Sequence, residues 1–551
     1  MESPLTFKLG KFQKSVDHRL ARWETQRFAH RIWAKDPTLW SPEPQPEIAD
    51  RLGWLALPER MQEKCEDILS FAHRIKGDGF SRILLLGMGG SSLAPEVFQR
   101  VMGNAHGFPE LVVLDTTHPA AIAATEKKLD PLNTLILVSS KSGTTLETLS
   151  LFHYFWAWAC KCRHDPGQCF VAITDEGSPL ESLAKKKKFR RTFHPSPDVG
   201  GRYSVFTEFG LVPAALIGID IQSLLDKGRI ASRTGLSPEV EKRDLGIMLG
   251  AALGELASHR NKLTFMTSPS LSGFPVWLEQ LIAESTGKQD HGIVPVVEEP
   301  SVPAEIYSKD RAFVGFFLEA DEDQELERRF LELEALGHPT IRIGMKDKTD
   351  LGQEFFRWEM ATACAGAALG IHPFNQPDVQ TTKDLTRSAM AQPENTEETS
   401  QGAMDPISIL DEKTCERAVK DALSKTSPGD YVALQAYLPP CPELTRALQS
   451  LREAILKHSR RATTLGFGPR YLHSTGQLHK GGPNTLLAIQ IADMPRSGLH
   501  VPGAGFTFDA LIQAQAQADH HALQQKKRRI LRISIGQDVI EGLKTLKGFF
   551  Y

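Results

Sequence analysis

The run Ser139-Ser140-Lys141-Ser142-Gly143-Thr144-Thr145 concentrates hydroxyl groups around one glycine and one lysine. It lies between residues 134–138, which have strand character, and the apolar stretch 146–158, which reads as a helix. A strand, a hydroxyl-rich turn and a helix start suit an anion. The first helical N–H groups have no intrahelical partner, and the helix dipole favours negative charge there. Ser140, Ser142, Thr144 and Thr145 add donors without bulk, and Gly143 allows close backbone approach. A single cation, Lys141, fits a phosphate monoester better than a polyphosphate with its metal. The same residues would also serve as the N-cap cluster of an ordinary turn.

Three other clusters carry reactive side chains. Residues 199–204, VGGRYS, set Arg202 behind two glycines. Gln280 and Glu284 are four apart and so share a helix face, with Glu284 falling near the helix break at Gly287. A carboxylate held at a helix end beside a cleft can act as a general base, although a lone glutamate there is commonly just solvated. Residues 372–383, HPFNQPDVQTTK, follow an alanine-rich helix and place Lys383 one turn into the next.

The elements that must position these groups alternate. Strands are expected at 82–86, 111–115, 134–138 and 170–174, again at 263–266, 313–317 and 340–343, and finally at 430–437, 485–492 and 529–534. Helices fall between them, among them 239–258, 274–285, 351–369, 411–425 and 442–459. Short apolar strands between helices predict an α/β fold of mainly parallel sheets covered on both faces. The expected organisation is an N-terminal helical arm (1–45), a phosphate-binding domain (46–199), a second α/β domain carrying the carboxylate (200–386), and a linker with a C-terminal α/β block (387–551). The loops at 87–92 and 139–145 would share the carboxyl edge of the first sheet, where such folds bind ligands.

The composition, 41% hydrophobic and 24% charged over 551 residues, is that of a soluble globular protein. A net charge of −3 provides no electrostatic case for nucleic acid or a membrane surface as partner. Seven cysteines are irregularly spaced, and Cys160, Cys162 and Cys169 find no second Cys/His pair to complete a zinc pattern, so no metal is expected. The N-terminal residues lack a signal-peptide core and no apolar run reaches membrane-spanning length, which predicts a cytoplasmic protein. The basic run 185–191 and His520-His521 read as solvated faces.

Residues 87–92, GMGGSS, follow a strand and open a helix, as dinucleotide-binding loops do. Ser92 stands at the third glycine position, however, and Asp115 lies farther along than that fingerprint places its acid. Taken in order, GMGGSS, SSKSGTTLET, GGRYS, AESTGK and HPFNQPDVQTTK resemble the phosphoglucose isomerases, over residues 80–385. The resemblance implies two sugar-isomerase (SIS-type) α/β units whose shared cleft interconverts glucose 6-phosphate and fructose 6-phosphate, without metal or organic cofactor, in a homodimer. Carried over by motif position, Gly90, Ser91, Ser140, Lys141, Ser142 and Thr145 would hold the phosphate end. Glu284 would move the proton between C1 and C2, Arg202 would stabilise the cis-enediolate, and Glu147, Gln280, Gln376 and Lys383 would line the sugar. One base serving neighbouring carbons and a fixed guanidinium beside the developing oxyanion are what the chemistry asks for.

The departures from that family are local. Asp378 and Gln380 stand where glycine and glutamate are usual, and Thr286 replaces asparagine. The ring-opening histidine of the family precedes the lysine, whereas the nearest match here, LHSTGQLHKGG, follows it. That order resembles the isomerase half of fused transaldolase–phosphoglucose isomerases, and it makes His473 the expected acid–base group, followed by His479 and then His338. Two other readings stay open: a sugar-phosphate-binding regulator that does no chemistry, and an isomerase that also accepts mannose 6-phosphate.

Overall fold

The computed structural model describes residues 4–234, 244–391 and 406–551. A short strand, β1 (Leu5–Lys8), opens the described chain, followed by the helices Gln13–Thr25 and Phe28–Trp33. The N-terminal arm is therefore not wholly helical. Its strand pairs antiparallel with the edge of the second sheet, and Trp40 donates its indole N–H to the Ala363 carbonyl at 2.8 Å.

Five parallel strands make the first sheet: β2 (Arg82–Gly87), β3 (Glu110–Leu114), β4 (Thr134–Ser139), β5 (Phe170–Ile173) and β6 (Arg191–Phe193), in the order β3-β2-β4-β5-β6. Strands β2 and β4 are continuous apolar runs because helices cover both their faces. The chain order reverses between these two strands, which opens a crevice at their carboxyl ends. Gly87 is in register with Ser139, so GMGGSS and SSKSGTT leave the sheet side by side.

The second sheet contains β7 (Lys262–Thr267), β8 (Val294–Val296), β9 (Arg311–Leu318) and β10 (Thr340–Met345), in the order β1-β10-β9-β7-β8. The third contains β11 (Ile407–Ser408), β12 (Tyr431–Tyr437), β13 (Ala462–Phe467), β14 (Leu486–Ala492) and β15 (Arg529–Ser534), in the order β11-β15-β14-β12-β13. In each sheet one strand is flanked by the next two of the chain: β2 by β3 and β4, β7 by β8 and β9, and β12 by β13 and β14. The C-terminal block thus repeats the strand order of the other two units.

Close packing of small residues joins these layers. The helices Leu245–Ala257 and Leu351–Leu369 meet so tightly that a Cβ on Gly250 would lie 2.3 Å from the Cys364 Cβ. Of the helix expected over 239–258, residues 239–243 lie outside the described residues. Of the expected linker, 387–391 continue the Gln380–Ala391 helix and 392–405 lie outside the described residues. Strands β6, β8, β11 and β13 were not among the expected ones; each is short, paired at or near a sheet edge, or runs straight into a glycine-rich loop.

The third unit is fastened to the second by buried charge. Arg311 and Glu299 pair with side chains 0% and 1% exposed, and Glu299 also accepts from the Thr463 N–H at 2.7 Å. Arg452 donates to the carbonyls of Val297 (2.9 Å) and Glu298 (3.0 Å). Removing one partner of so deep a pair would strand the other charge, which is strongly destabilising.

Candidate active site

Backbone contact between loops positions Glu284 and Arg202 at one end of the site. Neither lines the hydroxyl pocket itself; they connect to it through Gln280 and the His473 loop. A Cβ at Gly90 would fall 2.1 Å from the Gly201 carbonyl oxygen, so the GMGGSS turn presses directly on the loop that carries Arg202. Only a residue without a side chain fits there. Arg202 sits in a single turn, Gly201–Tyr203, and is 3% exposed. Its guanidinium donates to Ser285 Oγ at 2.9 Å, Gln376 Oε1 at 2.9 Å, and the carbonyls of Asn375 (2.7 Å) and Pro373 (3.3 Å). Its Nη1 also stands 3.3 Å from Glu284 Oε1. Five oxygens therefore hold a planar cation in one orientation.

Glu284 is on the helix Pro275–Thr286, one turn after Gln280, whose amide nitrogen donates to Glu284 Oε2 at 3.0 Å. The same Gln280 amide reaches the His473 carbonyl at 2.8 Å. Gln280 thus ties the carboxylate to the histidine loop of the third unit. Gly89, at φ +56°, faces that loop too: a Cβ there would lie 2.7 Å from the His473 carbonyl oxygen. Gly90 and Ser91 accordingly lie in a turn against the histidine backbone, and Ser91 is buried.

His473 comes from the loop that follows β13 and ends in the turn Arg470–His473. Arg470 anchors this loop to the first unit, pairing with Glu96 and, at 3.1 Å, with Asp115. The His473 ring places Nε2 3.1 Å from Glu147 Oε1, which also accepts from the Gln515 amide at 2.9 Å. Glu147 occupies the first turn of the helix Leu146–Cys160, on the dipole's positive end. Burial pushes its carboxyl up, but the charge and hydrogen bond of His473 and the ammonium of Lys383 hold it below the ordinary glutamate value.

The alternatives to His473 are packed elsewhere. His479 is 3% exposed, bonded through Nδ1 to Gln435 at 3.1 Å, and burial beside Lys480 drives it down to about 3. His338 precedes β10, at the edge of the second sheet opposite its carboxyl ends, and stacks edge-on against Phe313. Burial and the nearby Arg260 and Arg311 take it down to about 4.

Hydroxyls line the other end. Ser140 and Thr145 share a hydrogen bond of 3.0 Å, as do Ser142 and Thr144. Gly143, at φ +67°, is obligatory because a Cβ would meet the Leu180 backbone nitrogen at 2.7 Å. A pocket enclosing about 690 Å³, its open mouth included, runs from Ser142, Thr144 and Thr145 past Glu147 and His473 to Lys383. That is within the range of small-molecule sites. Lys141 is not on its wall: the ammonium is held by Asp175 at 2.9 Å and the Pro197 carbonyl at 3.3 Å. Lys480 and Gln515 line the pocket unforeseen, because a lone lysine and a glutamine in a polar helix carry no motif. Among the described residues no cluster of three or more His, Cys, Asp or Glu side chains could hold a metal ion, and no helix is long and apolar enough to cross a membrane.

The first two units are α/β layers built on mainly parallel sheets, with loops at their carboxyl edges. A family model described as phosphoglucose isomerase matches residues 55–299. A glucose-6-phosphate isomerase of Rubrobacter xylanophilus is 28% identical over 396 residues, 63% of this chain and 90% of that one. Another from Thermus thermophilus is 34% identical over 247 residues, 44% of this chain and 57% of the relative. Among solved structures, a hypothetical protein of Thermus thermophilus aligns with a TM-score of 0.62 at 25% identity, covering 70% of this chain and all of the other. A glucose-6-phosphate isomerase of Chlamydia trachomatis shares the fold with a TM-score of 0.59 at 18% identity, over 71% of this chain and 89% of its own. Over residues 55–299 the chain is thus similar to the phosphoglucose isomerases.

Proposed function

We propose that the protein interconverts glucose 6-phosphate and fructose 6-phosphate by proton transfer between C1 and C2. The observation that carries this reading is the Glu284–Arg202 pair, a carboxylate 3.3 Å from a buried, fully bonded guanidinium. The hydroxyl loop anchors the phosphate, which leaves the carbonyl end of the open sugar near Glu284. Glu284 takes the proton from one carbon and returns it to its neighbour. The enediolate oxygens gain negative charge in that step, and the fixed positive charge of Arg202 beside Glu284 stabilises them without reorienting. Gln280 and Gln376 supply hydrogen bonds to the sugar from the same walls. His473, oriented by Glu147, exchanges the proton that opens and closes the ring, with Lys383 as its companion.

On this reading residues 46–199 hold the phosphate, 200–386 carry the base, and 387–551 supply the histidine. The protein works in the cytoplasm. Its assembly is a homodimer by family resemblance, although every group named here belongs to one chain; light scattering on active enzyme decides the assembly. The reaction is tested by supplying fructose 6-phosphate with NADP and glucose-6-phosphate dehydrogenase. Wild type should generate NADPH, and Glu284→Gln should lose ~10²–10⁴-fold in kcat, the worth of one positioned base. Silence from well-folded wild type, beside an active control isomerase, would leave the regulator reading standing instead.

A further inference from the structure

The loop that should bind a phosphate dianion has lost its own cation, since Lys141 is engaged by Asp175 and the Pro197 carbonyl outside the pocket. Positive charge reaches the same pocket from another element instead. The helix Gln380–Ala391 turns one side toward it, with Thr382, Lys383, Thr386 and Arg387 all lining the pocket that Ser142 and Thr144 also line. Their spacing, two interleaved pairs four residues apart, puts them on adjoining stripes of one helix face. Arg387 is half exposed, and its one ion pair among the described residues is a long contact of 3.9 Å to Asp384. The Thr382 hydroxyl, 3% exposed as a residue, is buried and bonded to nothing. A buried donor left open on a pocket wall normally awaits a partner.

We infer that Arg387, with the Thr382 hydroxyl beside it, forms the second wall of the phosphate cradle and supplies the countercharge that Lys141 does not. The inference rests on the hydroxyl loop being the phosphate site of the isomerase proposed above. A guanidinium suits the role, since its fork matches two phosphate oxygens at once. Charge-assisted bonds of this kind, made at a partly exposed site, contribute a modest share of affinity, on the order of tenfold.

Calorimetric binding of inorganic phosphate to the full-length protein reads this contact without any turnover. Arg387→Gln should weaken phosphate binding about tenfold and raise the KM for fructose 6-phosphate by a similar factor with kcat kept. Arg387→Lys should recover part of the loss, and Lys141→Gln should change binding less than Arg387→Gln does. A loss under threefold for Arg387→Gln, or a larger loss for Lys141→Gln, overturns the inference. Because phosphate binding is measured directly, an isomerase assay that fails in wild type would sink the proposed reaction and leave this contact to be judged on its own.

Discussion

At the carboxylate end of the cleft Arg202 is 3% exposed and bonded on every side, while at the hydroxyl end Ser142, Thr144 and Lys383 stand in solvent. On the proposed reaction the first end meets a charge that develops during catalysis, whereas the second captures an ion that is already charged. Dipoles that stabilise a developing charge must be in place beforehand, or their reorientation adds to the barrier. A site that captures a dianion needs an open path and can shed its water on binding. Burial is thus spent where the charge is transient.

Breaking the fixed end should have the larger effect. Arg202→Lys keeps the charge but cannot span the Ser285, Gln376 and carbonyl acceptors, and kcat should fall ~10²–10³-fold with little change in KM. An unchanged kcat in steady-state assays would mean that the guanidinium geometry is irrelevant. His473→Asn should slow ring opening by ~10²-fold while leaving an open-chain substrate analogue as competent for C2 proton exchange in deuterated water. Equal losses on both would move His473 to the proton-transfer step.

Behind this end lies His479, six residues on and fully buried. Its folded value is about 3. The unfolded chain takes up that proton near 6.5, so stability should decline as pH drops from 6.5 toward 3. The contribution between pH 7 and 5 is about 2 kcal/mol, and His479→Gln should narrow the urea-measured gap by that much. Glu279, which burial raises to about 7, binds its proton more readily when folded and works in the opposite direction over the same range. The smallest effect belongs to the open end. Thr145→Ala removes a neutral hydroxyl worth about 1 kcal/mol, so KM should rise roughly fivefold at constant kcat. A drop in kcat instead would blur the division between the two ends.

Much of the site was readable because it is local. SSKSGTT announces its turn and helix start through residue type alone, and Gln280 and Glu284 meet because a helix brings positions four apart together. Strands β2 and β4 were legible as continuous apolar runs, and β12 and β14 as apolar runs broken by one glutamine each. The three-residue strands β6 and β8 were not, since so short a run has no periodicity to detect.

Composition and motif order by themselves determined the fold class, the family resemblance and the candidate residues for binding phosphate, carrying a base and holding an oxyanion. Tertiary structure alone decided which histidine faces Glu147, that Lys141 is engaged elsewhere, and that Lys480, Gln515 and Arg387 share the pocket wall. The reason is range: a side chain's chemistry is written at its own position, whereas its partner is set by packing between units hundreds of residues apart.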